Sequence, residues 1–458
     1  MSLRKKSGYL PTFHKILSLP ALLKNVRIQF NKIALDNTKD EIKAPVIPLT
    51  DVLLSGLAIF NFKFPSLLQF DRQRNKDKIK ANLTQLFGIK KSICDTQMRV
   101  RLDEVNSYSL RPAVVSIHKT LQNNQVLEAF NYLDGQLLFA SDGTDYFKSD
   151  KISCPCCNIK NKKNGVIEYS HRALVCSIVH PDRKQVLPFF HEDIHKEDGE
   201  TKNDCEQNAA KRFLPEIRKV YPNQKITILE DSLFSTAPHI KLLKLLDFNY
   251  IIAAKSGDHK FLFHQFNQAH SEKMTEEFEW EKTEGITQGY CFINDLSLNE
   301  SNQNIRVNFI KHWEILTKGK NKGKRTTFTY VTNHVIKFSN VIELAKAGRT
   351  RHKIENETFN TLKNQGYDLK HNYGHGNKHL SSVFVSLMLL MFLIDQIQES
   401  CCEVFNIAYK AAKSRIALWE NMRRLFLEFY IIKWEDIYFS IAYGHQTKTL
   451  KPDFINTS

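Results

Sequence analysis

The sequence predicts a mixed α/β protein in which a sheet flanked by helices lies between a helical N-terminal region and a helical C-terminal region. Three observations lead to this prediction. Short apolar runs rich in β-branched residues alternate with segments of helical period in the middle of the chain. The next segment alternates polar and apolar residues, and helical period returns toward the C-terminus. With 42% hydrophobic and 25% charged residues among 458, the composition excludes extensive disorder.

Residues 1–130 are predicted to form a helical, basic domain that binds DNA. Apolar helical segments such as Leu53–Phe62 alternate with a very basic stretch, Arg72–Lys80. The chain has a formal net charge of +16, and its first hundred residues contain 18 basic and 7 acidic side chains. This excess favours a polyanion, so nucleic acid is the predicted partner, and a basic protein that binds no nucleic acid is the alternative.

Residues 131–257 are predicted to form the first part of the α/β domain. Strands alternate here with two helices, at residues 204–220 and 239–246, and are expected at residues 135–142, 166–170, 173–180, 224–231 and 249–255. The first and fourth of these strands end in Asp142 and Asp231. Because ligands of open α/β sheets bind beyond the carboxyl ends of strands, we expect both carboxylates on adjacent strands at one site. A single aspartate in this position is more often a turn residue or a helix N-cap.

Residues 258–340 are predicted to form a β-rich insertion. Four strands are expected, at residues 278–282, 289–293, 306–316 and 326–332. The loop between the last two, Lys318–Arg325, is rich in positive charge and includes Lys320 and Lys322. It is either a solvated turn or a loop that contacts phosphate groups.

Residues 341–400 are predicted to complete the α/β domain, with a helix over His352–Asn364. Arg351 and Glu355 are four residues apart and share a helix face, and Lys363 follows two turns further along that side. Arg351 and Glu355 form either an ordinary ion pair or part of a site in which a carboxylate faces a metal ion beside phosphate groups.

Residues 401–458 are predicted to form a helical C-terminal region that follows an apolar helix. The apolar run Leu380–Ile394 spans 15 residues and stops at Asp395. A membrane span needs about 20 residues, so a buried core helix is predicted and no membrane partner is expected. The first residues contain no apolar stretch with a cleavage site, so no secretory signal is predicted and a cytoplasmic location is expected.

The nine cysteines indicate reduced thiols with one metal site rather than a disulfide framework. Cys154 and Cys157 have the CxxC spacing of a zinc knuckle, which is predicted within residues 150–176 as a structural Zn²⁺ site. Free thiols in a loop are the alternative. The candidates for the remaining ligands are His171, Cys176 and Cys205.

Taken together, these features resemble the DDE transposases of bacterial insertion sequences, whose catalytic domain has a ribonuclease H-like fold. The strand order, the two aspartates and a helical acid beyond a β-rich insertion carry this resemblance over roughly residues 50 to 400. The Arg351-x3-Glu355 segment with a following lysine is similar to the signature of the subgroup with such an insertion. The segments that match in order are Asp142-Gly-Thr, Cys154-Pro-x-Cys157, Asp198–Glu206, Ile354–Lys363 and Gly366–Gly376.

The resemblance implies a DNA transposase that cleaves strands at transposon ends and transfers them into target DNA. Asp142, Asp231 and Glu355 would hold two Mg²⁺ or Mn²⁺ ions, because neighbouring carboxylates repel unless a cation lies between them. A second group would bind DNA phosphates: Arg349, Arg351, Lys363, Lys320 and Lys322. The partner would be double-stranded DNA, bound by a homodimer in the bacterial nucleoid. The alternatives are a structure-specific nuclease of the same fold and a catalytically inactive, transposase-derived DNA-binding protein.

Two positions depart from the wider signature. A tyrosine is expected three residues before the arginine, where this sequence has Gly348. Six residues are expected between the glutamate and the lysine, whereas seven separate Glu355 from Lys363. Glu357 is therefore a competitor for the catalytic role, and Glu355 is preferred because its spacing from the arginine is intact. Asp145 is the weaker rival of Asp142, because it is predicted to lie past the strand end.

Overall fold

The computed structural model describes residues 15–37, 46–194, 205–283, 285–444 and 451–452. For residues 282–283 and 451–452 only the backbone is described. Of the predicted segment Asp198–Glu206, the part before residue 205 lies outside the described residues.

The described residues form fifteen α-helices, six of them before residue 130. They are α1 (Leu19–Asn37), α2 (Leu49–Asn61), α3 (Leu67–Arg74), α4 (Asp77–Phe87), α5 (Asp95–Asp103), α6 (Arg111–Asn123), α7 (Glu206–Val220), α8 (Ala237–Leu245), α9 (Lys260–Ser271), α10 (Val341–Thr350), α11 (Asn360–Asn364), α12 (Leu380–Cys401), α13 (Glu403–Ala412), α14 (Arg415–Glu428) and α15 (Trp434–Tyr443).

Eleven strands form one mixed sheet, and two short strands form a separate ribbon. The sheet contains β1 (Asn131–Tyr132), β2 (Gln136–Ser149), β3 (Asn158–Asn161), β4 (Ile167–Val179), β5 (Leu187–Ile194), β6 (Ile226–Glu230), β7 (Asn249–Ala253), β8 (Glu276–Thr283), β9 (Ile286–Ser297), β10 (Arg306–Leu316) and β11 (Arg325–Thr332). The ribbon pairs β12 (Phe429–Tyr430) with β13 (Lys451–Pro452).

The centre of the sheet has the strand order β5-β4-β2-β6-β7. β5, β4 and β2 are antiparallel neighbours, whereas β6 and β7 run parallel to β2. All five residues of β6, Ile-Thr-Ile-Leu-Glu, are buried, as expected for a β-branched strand that is covered on both faces of a parallel pair. Helices α7 and α8 make the connections before and after β6.

Three details of the predicted strands are corrected here. β2 does not end at Asp142 but continues to Ser149, because it stays paired with β4 after its pairing with β6 has ended. Asp145 therefore lies inside the strand, next to an irregularity in the β2–β4 register. The two predicted strands at residues 166–170 and 173–180 are one strand, β4, and the strands β1, β3 and β5 were not predicted.

The four predicted strands of the insertion are confirmed as β8–β11, which extend the sheet from β7 in the order β11-β10-β9-β8. All neighbours in this part are antiparallel. Helix α9, which precedes β8, was not predicted. Lys320 and Lys322 lie on the exposed connection between β10 and β11.

Helix α12 lies in the middle of the hydrophobic core, as predicted for its apolar run. It is long and apolar enough to cross a membrane, but 89% of its most apolar 18-residue window is buried inside the protein. Its Asp395 forms a buried ion pair with Lys63, with Nζ and Oδ2 2.6 Å apart, and its Glu399 binds Arg415. One cluster of buried hydrophobic residues extends from Leu17 to Tyr438. The division of the chain into the five regions named above stays a prediction.

Candidate active site

Asp142 and Asp231 lie at equivalent positions on two adjacent, parallel strands. The last registered pair of β2 and β6 is Ala140 with Leu229, and both aspartates follow two residues later. Asp142 continues in β2, whereas Asp231 begins a short 3₁₀ turn, where its Oδ1 accepts a hydrogen bond from the Leu233 amide at 3.0 Å. The sheet therefore directs both acids to the same edge, the one at which β6 stops.

Arg351 joins the first aspartate to the helical glutamate. Its Nη1 donates to Oδ2 of Asp142 at 3.1 Å, and its Nη2 donates to Oε1 of Glu355 at 2.7 Å. Burial alone would lower the pKa of the guanidinium, but the hydrogen bond to Glu355 and the charges of Asp142, Glu355 and Asp231 raise it. Asp142, Asp231 and Glu355, which come from separate parts of the sequence, therefore all interact electrostatically with the guanidinium of Arg351.

One positive charge does not balance this group of acids. Burial raises the pKa of Asp142 to about 6, against the opposing effect of Arg351 and of the Gly143 amide, and the charges of Asp231 and Glu355 raise it further. The Asp142 carboxylate is thus poorly neutralised at its position. A divalent cation with oxygen ligands suits this donor set, because carboxylate oxygens are the ligands that Mg²⁺ and Mn²⁺ prefer.

The helix that carries Glu355 contains a π-helical turn, Ile354–Phe359. An α-helix rotates about 100° per residue, so a residue eight positions after Glu355 would lie about 80° around from it. A π-turn accommodates one extra residue. Burial and the charge of Lys370 lower the pKa of Lys363, whereas the charges of Asp145 and Asp142 oppose this shift, so Lys363 lies within the electrostatic reach of both aspartates.

The turn is fixed against the sheet on the side opposite the acids. Ile354, Thr358 and Phe359 are buried, and Oγ1 of Thr358 lies 3.0 Å from Oγ of Ser177 in β4. Glu355 therefore approaches the strand ends from a helix packed on the sheet.

The two rival acids have other partners. Asp145 forms ion pairs with Lys148 at 2.8 Å and with Arg172 at 3.1 Å. Glu357 acts electrostatically on Lys353, whose Nζ donates to backbone carbonyls before β5. The geometry favours Asp142 over Asp145 and Glu355 over Glu357, and the catalytic roles stay predictions.

A fourth acid, Glu206, was not predicted as a site residue. Its Oε1 accepts a hydrogen bond from Arg172 at 2.7 Å, and burial raises its pKa, with a further contribution from Asp231. A Cβ on Gly143 would lie 2.1 Å from the same oxygen, so a side chain at this position would displace the carboxylate from its present place. The one hint in the sequence was that Glu206 ends the segment Asp198–Glu206, which matches the pattern of the resembled family.

A cleft of about 540 Å³ opens beside Arg351. Arg349 lies across it, with its guanidinium 3.9 Å from the centre of the Phe328 ring and 3.5 Å from a Glu314 oxygen. Cations combined with aromatic faces are typical of surfaces that bind nucleic-acid strands. The aromatic and basic residues that line the cleft are Phe263, Phe328, Tyr330, Lys255, Lys311, Arg349 and Arg351.

Tyr330 explains the glycine at position 348. A Cβ on Gly348 would lie 2.8 Å from Cε1 of Tyr330 and 3.0 Å from Cγ2 of Ile251. Because β11 brings an aromatic ring to this place, a side chain on residue 348 would collide with it. The departure from the wider signature thus coincides with an aromatic residue supplied by the insertion.

A second cluster lies at the far end of β2. Cys154, Cys157, His171 and His375 each offer a ligand atom, and these atoms all lie within 4.8 Å of one another. His171 was a predicted candidate ligand, whereas His375 was not, although it belongs to the matching segment Gly366–Gly376. The other candidates lie elsewhere: Cys176 is buried in β4, and Cys205 is exposed before α7.

No family model and no curated protein matches the chain. In fold it is similar to piggyBac transposase, in a cryo-EM structure of the synaptic complex with hairpin DNA. The TM-score is 0.41, the sequence identity is 11%, and the alignment covers 96% of this chain and 83% of that chain. A likeness at this TM-score says nothing about the reaction or about an origin in a bacterial insertion sequence, so both have to be argued from the chain's own residues.

Proposed function

We propose that the chain is a DDE-type DNA transposase, which cleaves transposon ends and transfers them into target DNA by metal-dependent phosphodiester chemistry. The observation that carries this proposal is the convergence of Asp142, Asp231 and Glu355 around Arg351. These acids come from two adjacent parallel strands and a helix packed on the sheet. Such an arrangement positions carboxylates for divalent cations that act on a phosphodiester.

The strand order supports a ribonuclease H-like catalytic domain. Three antiparallel strands, β5, β4 and β2, are followed by two strands, β6 and β7, parallel to β2. The insertion β8–β11 precedes the helix with Glu355, as in the subgroup that the sequence resembles. A bacterial insertion sequence as the origin, a cytoplasmic location and a homodimer on paired DNA ends form part of this proposal.

The chain's own residues have distinct roles in the proposed reaction. When bound, two divalent cations would lower the pKa of the attacking water or 3′-hydroxyl and stabilise the leaving 3′-oxygen. Asp142, Asp231 and Glu355 would hold them through carboxylate oxygens. Arg351, which hydrogen bonds to Asp142 and Glu355 already hold in place, would orient a phosphate through its planar guanidinium, and Lys363 would add a point charge.

The DNA would approach through the cleft beside Arg351. Lys255, Lys311 and Arg349 line it, and the basic connection that holds Lys320 and Lys322 follows at the end of the same β10–β11 hairpin. Phosphate contacts from these cations would position a strand without reading its sequence.

The test compares Asp142→Asn and Asp231→Asn with the matched control Asp145→Asn. Full-length protein is assayed with Mg²⁺ or Mn²⁺ on duplexes taken from the DNA that flanks the coding sequence. Both site variants should lose cleavage and joining by about a thousandfold, corresponding to about 4 kcal/mol of transition-state stabilisation, while their DNA binding is unchanged. The control should cleave like the wild type.

Three other outcomes would reject or narrow the proposal. Cleavage by wild-type protein without any joining would indicate the structure-specific nuclease instead. Equal cleavage by wild type and both site variants would show that these carboxylates do not perform the chemistry, and a wild type that binds DNA without cleaving it would indicate the inactive DNA-binding protein.

A further inference from the structure

We infer that Cys154, Cys157, His171 and His375 hold one structural zinc ion. Four potential ligands converge on one point, and both cysteines are free thiols. Two sulphur and two imidazole nitrogen donors form a ligand set typical of tetrahedral zinc. Because the protein supplies all four ligands, no position remains for a substrate, and the metal's role is structural.

The spacing of the donor atoms matches that coordination. The two sulphurs are 3.7 Å apart, Nε2 of His171 lies 3.3 and 3.5 Å from them, and Nε2 of His375 lies 3.6 Å from Sγ of Cys157. A tetrahedron with Zn–S and Zn–N bonds of ordinary length places two sulphurs about 3.8 Å apart and sulphur and nitrogen about 3.6 Å apart. These four distances agree with tetrahedral coordination to within about 0.3 Å, and the remaining two donor pairs lie within 4.8 Å of each other.

The surrounding residues hold the two imidazoles in this orientation. His171 stacks on Tyr146 at 5.7 Å between ring centres, and His375 packs on Phe147 at 4.2 Å and on His171 at 4.8 Å. Nδ1 of His375 is buried without a hydrogen-bond partner among the described residues. Ring packing, rather than a hydrogen bond to the second nitrogen, thus aims Nε2 of His375 at the cysteines.

The ligands come from segments that are far apart in the chain. Cys154 and Cys157 follow β2, His171 lies in β4 opposite Phe147, and His375 is 218 residues beyond Cys157, in the connection between α11 and α12. The ion would fasten the connection that follows the Glu355 helix to the strand that carries Asp142. A cross-link over so long a loop constrains the unfolded chain strongly.

The experiment measures metal content and coordination in the full-length protein, purified without chelators. Elemental analysis should find one zinc per chain, and exchange with Co²⁺ should give the sulphur charge-transfer and visible bands of tetrahedral cobalt. His375→Ala should lose these bands and the stoichiometric zinc, and should become more susceptible to proteolysis between α11 and α12. His375→Cys should retain the ion with three sulphur ligands.

Two controls separate this site from the carboxylates and from general damage. Cys156→Ser removes the thiol between the two ligands and should keep one zinc. Asp142→Asn should also keep it, so that the zinc result is independent of whether the protein acts on DNA. A wild-type protein without zinc that shows no tetrahedral cobalt spectrum would overturn the inference without any variant, and so would stoichiometric zinc in His375→Ala.

Discussion

Replacing Asp142 by asparagine should stabilise the protein in the absence of Mg²⁺ and Mn²⁺. Burial raises the pKa of this carboxyl group from 3.8 to about 6, so ionised Asp142 destabilises the folded state at neutral pH. A shift of about two pKa units corresponds to about 3 kcal/mol. Because the side chain retains 18% exposure, solvent screening reduces the expected gain to about 1–2 kcal/mol.

The sign follows from proton linkage. Between pH 4 and 6 the folded state keeps the proton that the unfolded state releases, so this contribution lowers stability as the pH rises through that window. Asparagine resembles the protonated form and lacks this dependence. The gain of Asp142→Asn over wild type should therefore be near zero at about pH 4, reach its full size above about pH 6, and stay constant beyond it.

Urea denaturation, followed by tryptophan fluorescence at several pH values with zinc retained, measures this difference. Asp145→Asn is the matched control and should not stabilise the protein, because it loses ion pairs with Lys148 and Arg172. Added Mg²⁺ or Mn²⁺ should stabilise wild type by about 2.7 kcal/mol at a hundred times Kd and reverse the order of the two proteins. A variant that is less stable than wild type at pH 7.5 without these ions would refute the reasoning.

Three further predictions concern the glutamates, the basic loop and the core. Glu355→Gln should reduce metal-dependent cleavage by about a thousandfold, whereas Glu357→Gln should leave it near wild type in the same assay; the opposite ranking would exchange their roles. Replacing the four loop lysines (Lys318, Lys320, Lys322 and Lys324) by alanine should weaken binding to all DNA sequences alike. The slope of log K against log salt should fall by about 0.9 for each phosphate that the loop no longer neutralises. An unchanged slope would show that the loop is a solvated turn. Asp395→Asn should lower the free energy of unfolding by about 3–5 kcal/mol because it leaves the Lys63 ammonium buried without its counter-charge, and Lys63→Met in the same chain should restore most of it; additive losses would argue against coupling.

The sequence predicted α7, β6, α8 and β7 in the right order, but among the strands that precede α7 it divided β4 into two and missed β1, β3 and β5. His171 and Arg172 interrupt the apolar run of β4, so that one strand was read as two. Both are polar because they serve distant partners, the cysteines and Glu206. Pro188 argued against a strand at β5, because a proline cannot donate a hydrogen bond to a neighbouring strand. β5 tolerates the proline because it lies at an edge of the sheet.

The candidate site was predictable where local pattern determined it, and obscure where distant segments meet. The acids at the strand ends and the spacing of Arg351 and Glu355 can be recognised in the amino-acid sequence alone. Glu206 and His375 contribute through contacts that only the folded chain creates, over the backbone of Gly143 and against the ring of Phe147. The sequence contained one hint for each residue: both lie in segments, Asp198–Glu206 and Gly366–Gly376, that match the pattern of the resembled family but were given no role.

The π-turn has a consequence for how a sequence like this one is matched to a pattern with a fixed spacing between residues. A one-residue insertion in a helix normally rotates every later side chain by about 100° away from its former neighbours. Here the wide turn at Ile354–Phe359 accommodates one extra residue within a single turn, and Lys363, which follows it, lies within the electrostatic reach of Asp142 and Asp145. A helix with such a turn can therefore differ in length by one residue while the side chains before and after the turn keep their directions. A pattern that fixes the number of residues between the glutamate and the lysine will overlook chains of this kind, whereas one defined by helix faces will include them.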